Sequence, residues 1–148
     1  MENIIKELNQ FLADLNVFYR KLQNYHWNIE GKDFFIIHSK LEEYYDEVNK
    51  SIDEVAEFIL TKNGQPLGTM KDYIEITKIT EAENKKVTSN VILEEIIKDY
   101  SYLLKYVKAI KKEAEKETDD ITSTFMDEFI SNYSKILWML NQTMASNN

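Results

Sequence analysis

Residues 24–38 read NYHWNIEGKDFFIIH, and one helical pattern stops within this stretch while another begins. Gly31 and Lys32 lie at the centre of the break, and Asp33 is a suitable N-cap for the helix that follows. The stretch therefore predicts a hairpin of two antiparallel helices with one histidine on each side of its turn.

Apolar residues on both sides of this turn recur at intervals of three and four, which is typical of amphipathic α-helices. The first two stripes are Ile4, Leu8, Phe11, Leu15, Phe18, Leu22, Tyr25 and Ile29, and then Phe34, Ile37, Leu41, Tyr44, Val48, Ile52, Val55 and Ile59. A third helix is predicted from about Thr88 or Ser89 and a fourth after Thr118 and Asp119. Their stripes are Leu93, Ile96, Tyr100, Leu103, Val107, Ile110 and Ala114, and then Phe125, Phe129, Tyr133, Ile136, Leu140 and Met144.

The second and third helices are joined by a link of about 25 residues, which is long for a helical bundle. The link contains Gly64, Pro66 and Gly68, and we expect Met70 to Ile76 to form a short extra helix. Four amphipathic helices with one long connection predict an all-α four-helix bundle with a crossover. The length of 148 residues suits a single domain, residues 1–148.

Composition excludes several classes of chemistry. There is no cysteine, so disulfides, thiolate metal sites and cysteine nucleophiles are excluded, and two histidines cannot make a three-histidine site within one chain. The net charge of −8 weighs against nonspecific binding to DNA or to anionic membranes. No apolar run reaches the length of a membrane span or a signal peptide, so a cytoplasmic location is expected.

The two histidines and four carboxylates form a notable pattern. His38 and Glu42 lie four residues apart on the second helix, as do Asp53 and Glu57, so each pair shares a helix face. His38 and Asp53 are separated by 15 residues, or about 22 Å of helix. A hairpin folded about residue 32 sets residue i opposite 64 − i, which places His26 opposite His38.

A second copy of the chain can bring the two pairs together. If the second helix meets its copy antiparallel across a two-fold axis between Glu47 and Val48, residue i faces 95 − i. His38 then faces Glu57 of the other copy, and Glu42 faces Asp53. Mixed imidazole and carboxylate ligation suits iron, manganese or zinc, and the absence of sulfur ligands favours a labile Fe(II) site.

Spacing alone leaves a simpler interpretation open. Single histidines on helices are commonly surface or half-buried residues, and carboxylates four residues apart commonly just solvate a face. The Glu-x-x-His motif of di-iron sites within one bundle is absent, because Gln23 and Phe35 stand three residues before the histidines. Any metal site is therefore expected at an interface.

Five segments resemble the signature of the Dps family, the ferritin-like mini-ferritins named for DNA binding in starved cells. They are residues 24–38, KLEEYYD at 40–46, DEVAE at 53–57, DDITST at 119–124 and ILWML at 136–140. The resemblance covers essentially the whole chain. It implies a ferritin-like four-helix bundle with a short helix in the long connection, assembled into a hollow dodecameric shell.

The resemblance also implies ferroxidase sites at the two-fold interfaces, with metal-binding and catalytic roles for His26, His38, Asp53 and Glu57. The Asp and Glu of one chain and the first-helix His of its neighbour would hold the tighter iron, and the second His a weaker iron or a water. Glu42 is a further candidate ligand. Trp27 stands where the family keeps an aromatic residue thought to intercept oxidising radicals, and interface packing explains it equally well.

The implied activity is oxidation of Fe(II) by hydrogen peroxide, or more slowly by oxygen, with storage of Fe(III) mineral and protection against oxidative stress. Spare carboxylates such as Glu43 or Glu47 could nucleate the mineral. The candidate pore residues are Asp119, Asp120, Asp127 and Glu128, although Thr124 replaces a carboxylate of some members. Asp119 and Asp120 can also simply complement a helix N-terminus.

One departure from the family concerns DNA. Residues 1–10 carry one Lys against two Glu, and residues 141–148 carry no charge, so the basic arm of DNA-binding members is missing. We therefore expect no direct DNA binding. The alternatives are a DNA-compacting protein, which a gel shift at low salt would reveal, and a metal-free helical scaffold, which would show no saturable Fe(II) uptake.

Overall fold

A computed structural model describes residues 2–145, so Met1 and the last three residues of the uncharged C-terminal stretch lie outside the described part. Its helices are α1 (Glu2–Asn28), α2 (Phe34–Thr61), α3 (Met70–Ile76), α4 (Ser89–Lys116) and α5 (Asp120–Ala145). The four long helices and the short helix in the link are confirmed. The chain forms two compact units, one chiefly of residues 4–92 and the other of the residues from 93 onward.

In the first unit, the predicted apolar stripe of α1 is buried throughout, and each of its eight residues, from Ile4 to Ile29, is at most 6% exposed. Leu12, Ala13 and Val17 lie off that stripe and are buried as well. The helix is therefore enclosed on more than one face, and its burial makes it the main source of apolar stabilisation in this unit.

The α2 helix is amphipathic, and two of its predicted core positions need correction. Ile37, Leu41, Tyr44, Val48, Val55 and Ile59 are buried, but Phe34 and Ile52 are only half-buried. Phe34 stacks instead on the His38 ring, with 4.7 Å between ring centroids. Ile52 lines an open groove beside Asn49. Both positions lie at the boundary between the apolar and polar faces of the helix.

Asp33 is the N-cap residue of α2, as predicted, but the predicted capping hydrogen bond is absent. Its backbone angles, φ −94° and ψ 12°, lie outside the extended region in which a side chain reaches the first turn of a helix. The Asp33 carboxylate instead accepts a hydrogen bond from the Ser89 hydroxyl at 2.8 Å. It therefore connects the start of α2 to the start of α4.

The link is fixed by a buried carboxylate. Asp14 accepts hydrogen bonds from the Thr77 hydroxyl and the Lys78 backbone N–H, both at 2.8 Å. Further along, Val87 donates to the carbonyl of Asn28 at 3.0 Å and accepts from the N–H of Glu30 at 2.9 Å. The link thus follows α1 back to the α1–α2 turn, and the expected crossover is confirmed.

In the second unit, all predicted core residues of α4 are buried, whereas the predicted α5 stripe is wrong at its two ends. Phe125 and Met144 are half-buried, and the core positions near the start of α5 are Thr122 and Met126, both fully buried. Asp119 caps this helix, because its carboxylate accepts from the N–H and the hydroxyl of Thr122 at 3.1 and 2.7 Å. The position of this cap fixes the helical phase of α5, and this phase places Met126 on the buried face.

Within residues 2–145, none of the helices combines the length and the apolar character that crossing a membrane requires.

Gly64 provides a test of packing at the end of α2. A Cβ added there would lie 2.7 and 2.9 Å from Ile5 carbons and 3.0 Å from Ile59, whereas one added at Gly68 would meet nothing within 4 Å. We expect Gly64→Ala to lower the free energy of unfolding by about 1–3 kcal/mol through overpacking, and Gly68→Ala to change it far less. Urea unfolding of the two variants makes the comparison, and equal stability would contradict the observed packing.

Candidate metal centre

The two histidines meet across the α1–α2 turn. His26 lies in the last turn of α1 and His38 in the second turn of α2, and their rings stack with 3.7 Å between centroids and 12° between planes. Tyr19 and Tyr45 also obey the 64 − i register, with ring centroids 5.8 Å apart. The predicted hairpin register is therefore confirmed by two pairs.

Two reciprocal hydrogen bonds hold the stacked rings, and we call this arrangement the histidine clasp. His26 Nδ1 lies 2.6 Å from the backbone oxygen of His38, and His38 Nδ1 lies 2.7 Å from the backbone oxygen of His26. A carbonyl oxygen only accepts, so each Nδ1 must carry the proton. In the neutral rings each Nε2 then keeps a free lone pair, which is the form that binds a metal ion.

Glu42 stands beside one of these lone pairs. Its Oε1 lies 3.7 Å from His26 Nε2, and the Glu42 side chain is 57% exposed whereas that of His26 is 8% exposed. Two atoms that bind one ion are themselves roughly 3–4 Å apart, because each lies about 2.1 Å from the ion. The spacing of this nitrogen and oxygen therefore fits a shared cation.

Tyr45 lies beside the same two groups. Its ring meets the His26 ring edge-on at 5.3 Å between centroids. Burial raises the pKa of Tyr45 above its ordinary value, and the negative charge of Glu42 adds to the effect. The phenol therefore keeps its proton at neutral pH.

Asp53 and Glu57 lie on exposed turns of α2, remote from the clasp of their own chain. The 15 residues between His38 and Asp53 correspond to about 22 Å of helix. Among residues 2–145, no three side chains of His, Asp or Glu come together as a metal site. The structure thus stacks His26 on His38 and places Glu42 3.7 Å from His26, and it leaves Asp53 and Glu57 apart from them.

Trp27 is 55% exposed, and the guanidinium carbon of Arg20 lies 5.7 Å from its ring centre. Trp27 directly follows His26 in sequence, and much of its surface is not covered by its own chain. Both interpretations of Trp27, interface packing and interception of radicals, fit this position.

The candidate pore residues divide by what they contact. Asp119 caps α5, and Asp127 forms an ion pair with Lys111 at 2.8 Å. Asp120 is the first residue of α5, and Asp120 and Glu128 are exposed. The alternative explanation of Asp119, that it complements the helix N-terminus, is confirmed, and a pore role for the four residues stays a prediction.

Sequence reasoning missed Phe34 and Tyr45 as neighbours of the histidines. Phe34 was assigned to the core, although it lies four residues before His38 and therefore on the same helix face. Tyr45 lies seven residues after His38 and opposite Tyr19 in the 64 − i register. The hairpin register contained this signal, but only the histidines were placed with it.

Comparisons with known proteins define the class of the chain. A family profile described as a ferritin-like domain matches residues 5–146. The chain also superposes on the crystal structure of the Dps protein from Vibrio cholerae with a TM-score of 0.93 and 34% identity, over 97% of this chain and 89% of that one. That structure is described as a member of a broad superfamily of ferritin-like diiron-carboxylate proteins. The fold is therefore ferritin-like, as expected.

Sequence relatives narrow the class further. DNA protection during starvation protein 2 of Bacillus anthracis is 39% identical over 139 residues, which is 94% of each chain. The DNA protection during starvation protein of Helicobacter pylori is 36% identical, over 93% of this chain and 96% of that one. The chain belongs to the Dps family of ferritin-like proteins. This membership supports iron storage and protection against oxidative damage in general terms.

The clasp predicts the tautomer of both histidines. Nitrogen-15 spectra of protein labelled only at histidine, recorded in alkaline buffer where imidazoles are neutral, should show both rings protonated at Nδ1, because each Nδ1 donates to a carbonyl. The chain contains only two histidines, so a His38→Asn variant assigns both signals. Neutral rings protonated at Nε2 would contradict the clasp.

Proposed function

We propose that this protein is a ferroxidase that oxidises Fe(II) at sites between subunits and stores the resulting Fe(III) as mineral inside a homo-oligomeric shell. The single observation that carries the proposal is the histidine clasp. Its two Nδ1 atoms face backbone carbonyls, which leaves both Nε2 atoms available as ligands, and the Glu42 carboxylate lies 3.7 Å from Nε2 of His26.

Each site, in this proposal, takes its imidazoles from one subunit and its carboxylates from the next. The antiparallel register that pairs residue i with 95 − i sets His38 opposite Glu57 and Glu42 opposite Asp53 of the partner subunit. The exposure of Glu42, Asp53 and Glu57 on one helix supports this arrangement, because exposed carboxylates remain available to a second chain. The proposed ligands are His26, His38, Asp53 and Glu57, with Glu42 as an additional oxygen donor.

The chemistry follows from the donor set. Carboxylate oxygens favour Fe(III) over Fe(II), because hard anionic ligands stabilise the higher charge. Two Fe(II) ions and two protons reduce one hydrogen peroxide to two water molecules, which consumes electrons in a pair and releases no hydroxyl radical. The choice of hydrogen peroxide, or more slowly oxygen, as the oxidant rests on the resemblance to the family.

The dodecameric shell and its acidic pores are also inferred from the resemblance to the family. Fe(II) would enter past Asp119, Asp120, Asp127 and Glu128, although the ion pair with Lys111 partly neutralises Asp127. Glu43 or Glu47 would nucleate the mineral. The proposal includes the cytoplasm as the compartment of the protein, as expected from the sequence.

Direct DNA binding is not part of the proposal. The net charge of −8 per chain repels duplex phosphates, and the first ten residues carry one Lys against two Glu. Protection against oxidative damage would therefore come from removing Fe(II) and peroxide.

Removal of one ligand of each type tests the proposal. His26→Ala combined with Asp53→Ala should slow peroxide-driven Fe(II) oxidation by more than about 100-fold, because metal affinity needs both donor types. Asp46→Ala is the matched control, since the 95 − i register sets this exposed carboxylate opposite Asn49, outside the donor set. Stopped-flow absorbance measures oxidation, and size-exclusion chromatography verifies that each variant assembles.

Unchanged oxidation in the double variant would remove the ferroxidase assignment. Anaerobic calorimetry with Fe(II) then separates the remaining possibilities, because a metal-free scaffold shows no saturable binding in the unmodified protein.

A further inference from the structure

The outward face of α4 carries a row of lysines that the proposed function does not use. Lys98, Lys105, Lys108 and Lys112 are all exposed and recur at intervals of seven, three and four residues, so they share one helix face. We call these four residues the lysine row. It extends over 14 residues, or about 21 Å of helix.

The lysine row is not neutralised within its chain. In the part of the chain that the structure describes, none of its four ammonium groups forms an ion pair, whereas neighbouring lysines do. Lys111 pairs with Asp127 at 2.8 Å and with Glu115 at 3.4 Å, and Lys116 pairs with Glu113 at 3.9 Å.

Acidic residues are also missing from the row itself. The single carboxylate between residues 98 and 112 is Asp99, which is 5% exposed and lies on the buried face. A chain with 26 acidic and 18 basic residues therefore presents a locally cationic strip. Such a strip attracts anions within about one Debye length, roughly 8 Å at physiological ionic strength.

The width of the lysine row determines which kind of polyanion can bind it without also meeting nearby carboxylates. A helix with its side chains is about 10–12 Å across, and the major groove of duplex DNA alone is about 12 Å wide. A duplex on the lysine row would therefore also lie over Glu115 and Asp127, which are exposed and pair with Lys111 beside the row, and over Glu94, which lies four residues before Lys98 at the end of the row. A thin, flexible chain of phosphates can follow the row and avoid these carboxylates.

We infer that the lysine row of α4 is a binding surface for a thin polyanion, and specifically for linear inorganic polyphosphate. Its phosphates carry charge at close intervals along a single flexible strand, which complements four aligned ammonium groups. This surface lies on α4 and does not depend on iron oxidation at the histidine clasp.

The experiment uses the assembled protein and a short polyphosphate of defined length, labelled at one end, with fluorescence anisotropy as the readout. The unmodified protein should bind it saturably. With four phosphate contacts, the affinity should fall about 50-fold between about 50 and about 200 mM salt, because counterions are released on binding.

Two variants of equal net charge locate the surface. Lys98→Gln, Lys105→Gln, Lys108→Gln and Lys112→Gln together should abolish the salt-dependent binding. The matched control replaces four exposed lysines outside α4 with Gln, and it should bind within about threefold of the unmodified protein. The control positions are Lys6, Lys32, Lys71 and Lys86.

Several results would overturn the inference. These are no binding by the unmodified protein, an equal loss in both variants, or duplex DNA bound as tightly as polyphosphate through the same four lysines. A changed assembly size in the lysine-row variant alone would show that a second copy of the chain covers the row, which also contradicts an open polyanion surface.

Discussion

The histidine clasp is the interaction on which the account of this protein depends. Two hydrogen bonds, at 2.6 and 2.7 Å, join each imidazole to the backbone of the other helix across the α1–α2 turn. The same two bonds fix the hairpin register and assign the protons to Nδ1, so neither Nε2 atom is used in holding the hairpin. The proposed function assigns these two Nε2 atoms to a metal.

Distance imposes the second constraint. A straight helix separates His38 from Asp53 by about 22 Å, so no rotation of side chains brings the imidazole of His38 to the carboxylate of Asp53 in the same chain. In the proposed arrangement, an antiparallel pairing of α2 with its copy removes this obstacle, because the two-fold axis creates two equivalent sites at once. In this account assembly and metal chemistry are coupled, and an isolated chain would hold only half of each donor set.

Much of this organisation could be predicted from the sequence, because helical periodicity and the punctuation at Gly31, Gly64 and Pro66 are local signals. The failures have physical causes. Phe125 was placed in the core because the helical phase of α5 depends on where Asp119 caps the helix. The capping hydrogen bond expected of Asp33 is absent because its carboxylate accepts a hydrogen bond from the Ser89 hydroxyl instead. Tyr45 was missed because the hairpin register was applied only to the histidines, although it also sets Tyr45 opposite Tyr19. That the lysine row carries no ion pair depends on side-chain positions, which spacing does not give.

If each site combines imidazoles of one subunit with carboxylates of another, mixed shells should recover activity that neither variant has by itself. His26→Ala and Asp53→Ala chains, each inactive alone, are unfolded, mixed in equal amounts and reassembled, and peroxide-driven Fe(II) oxidation is measured. Random pairing restores about one quarter of the sites, because one site in four receives an intact histidine and an intact aspartate from different chains. Mixed shells that assemble but recover no oxidation would contradict the account.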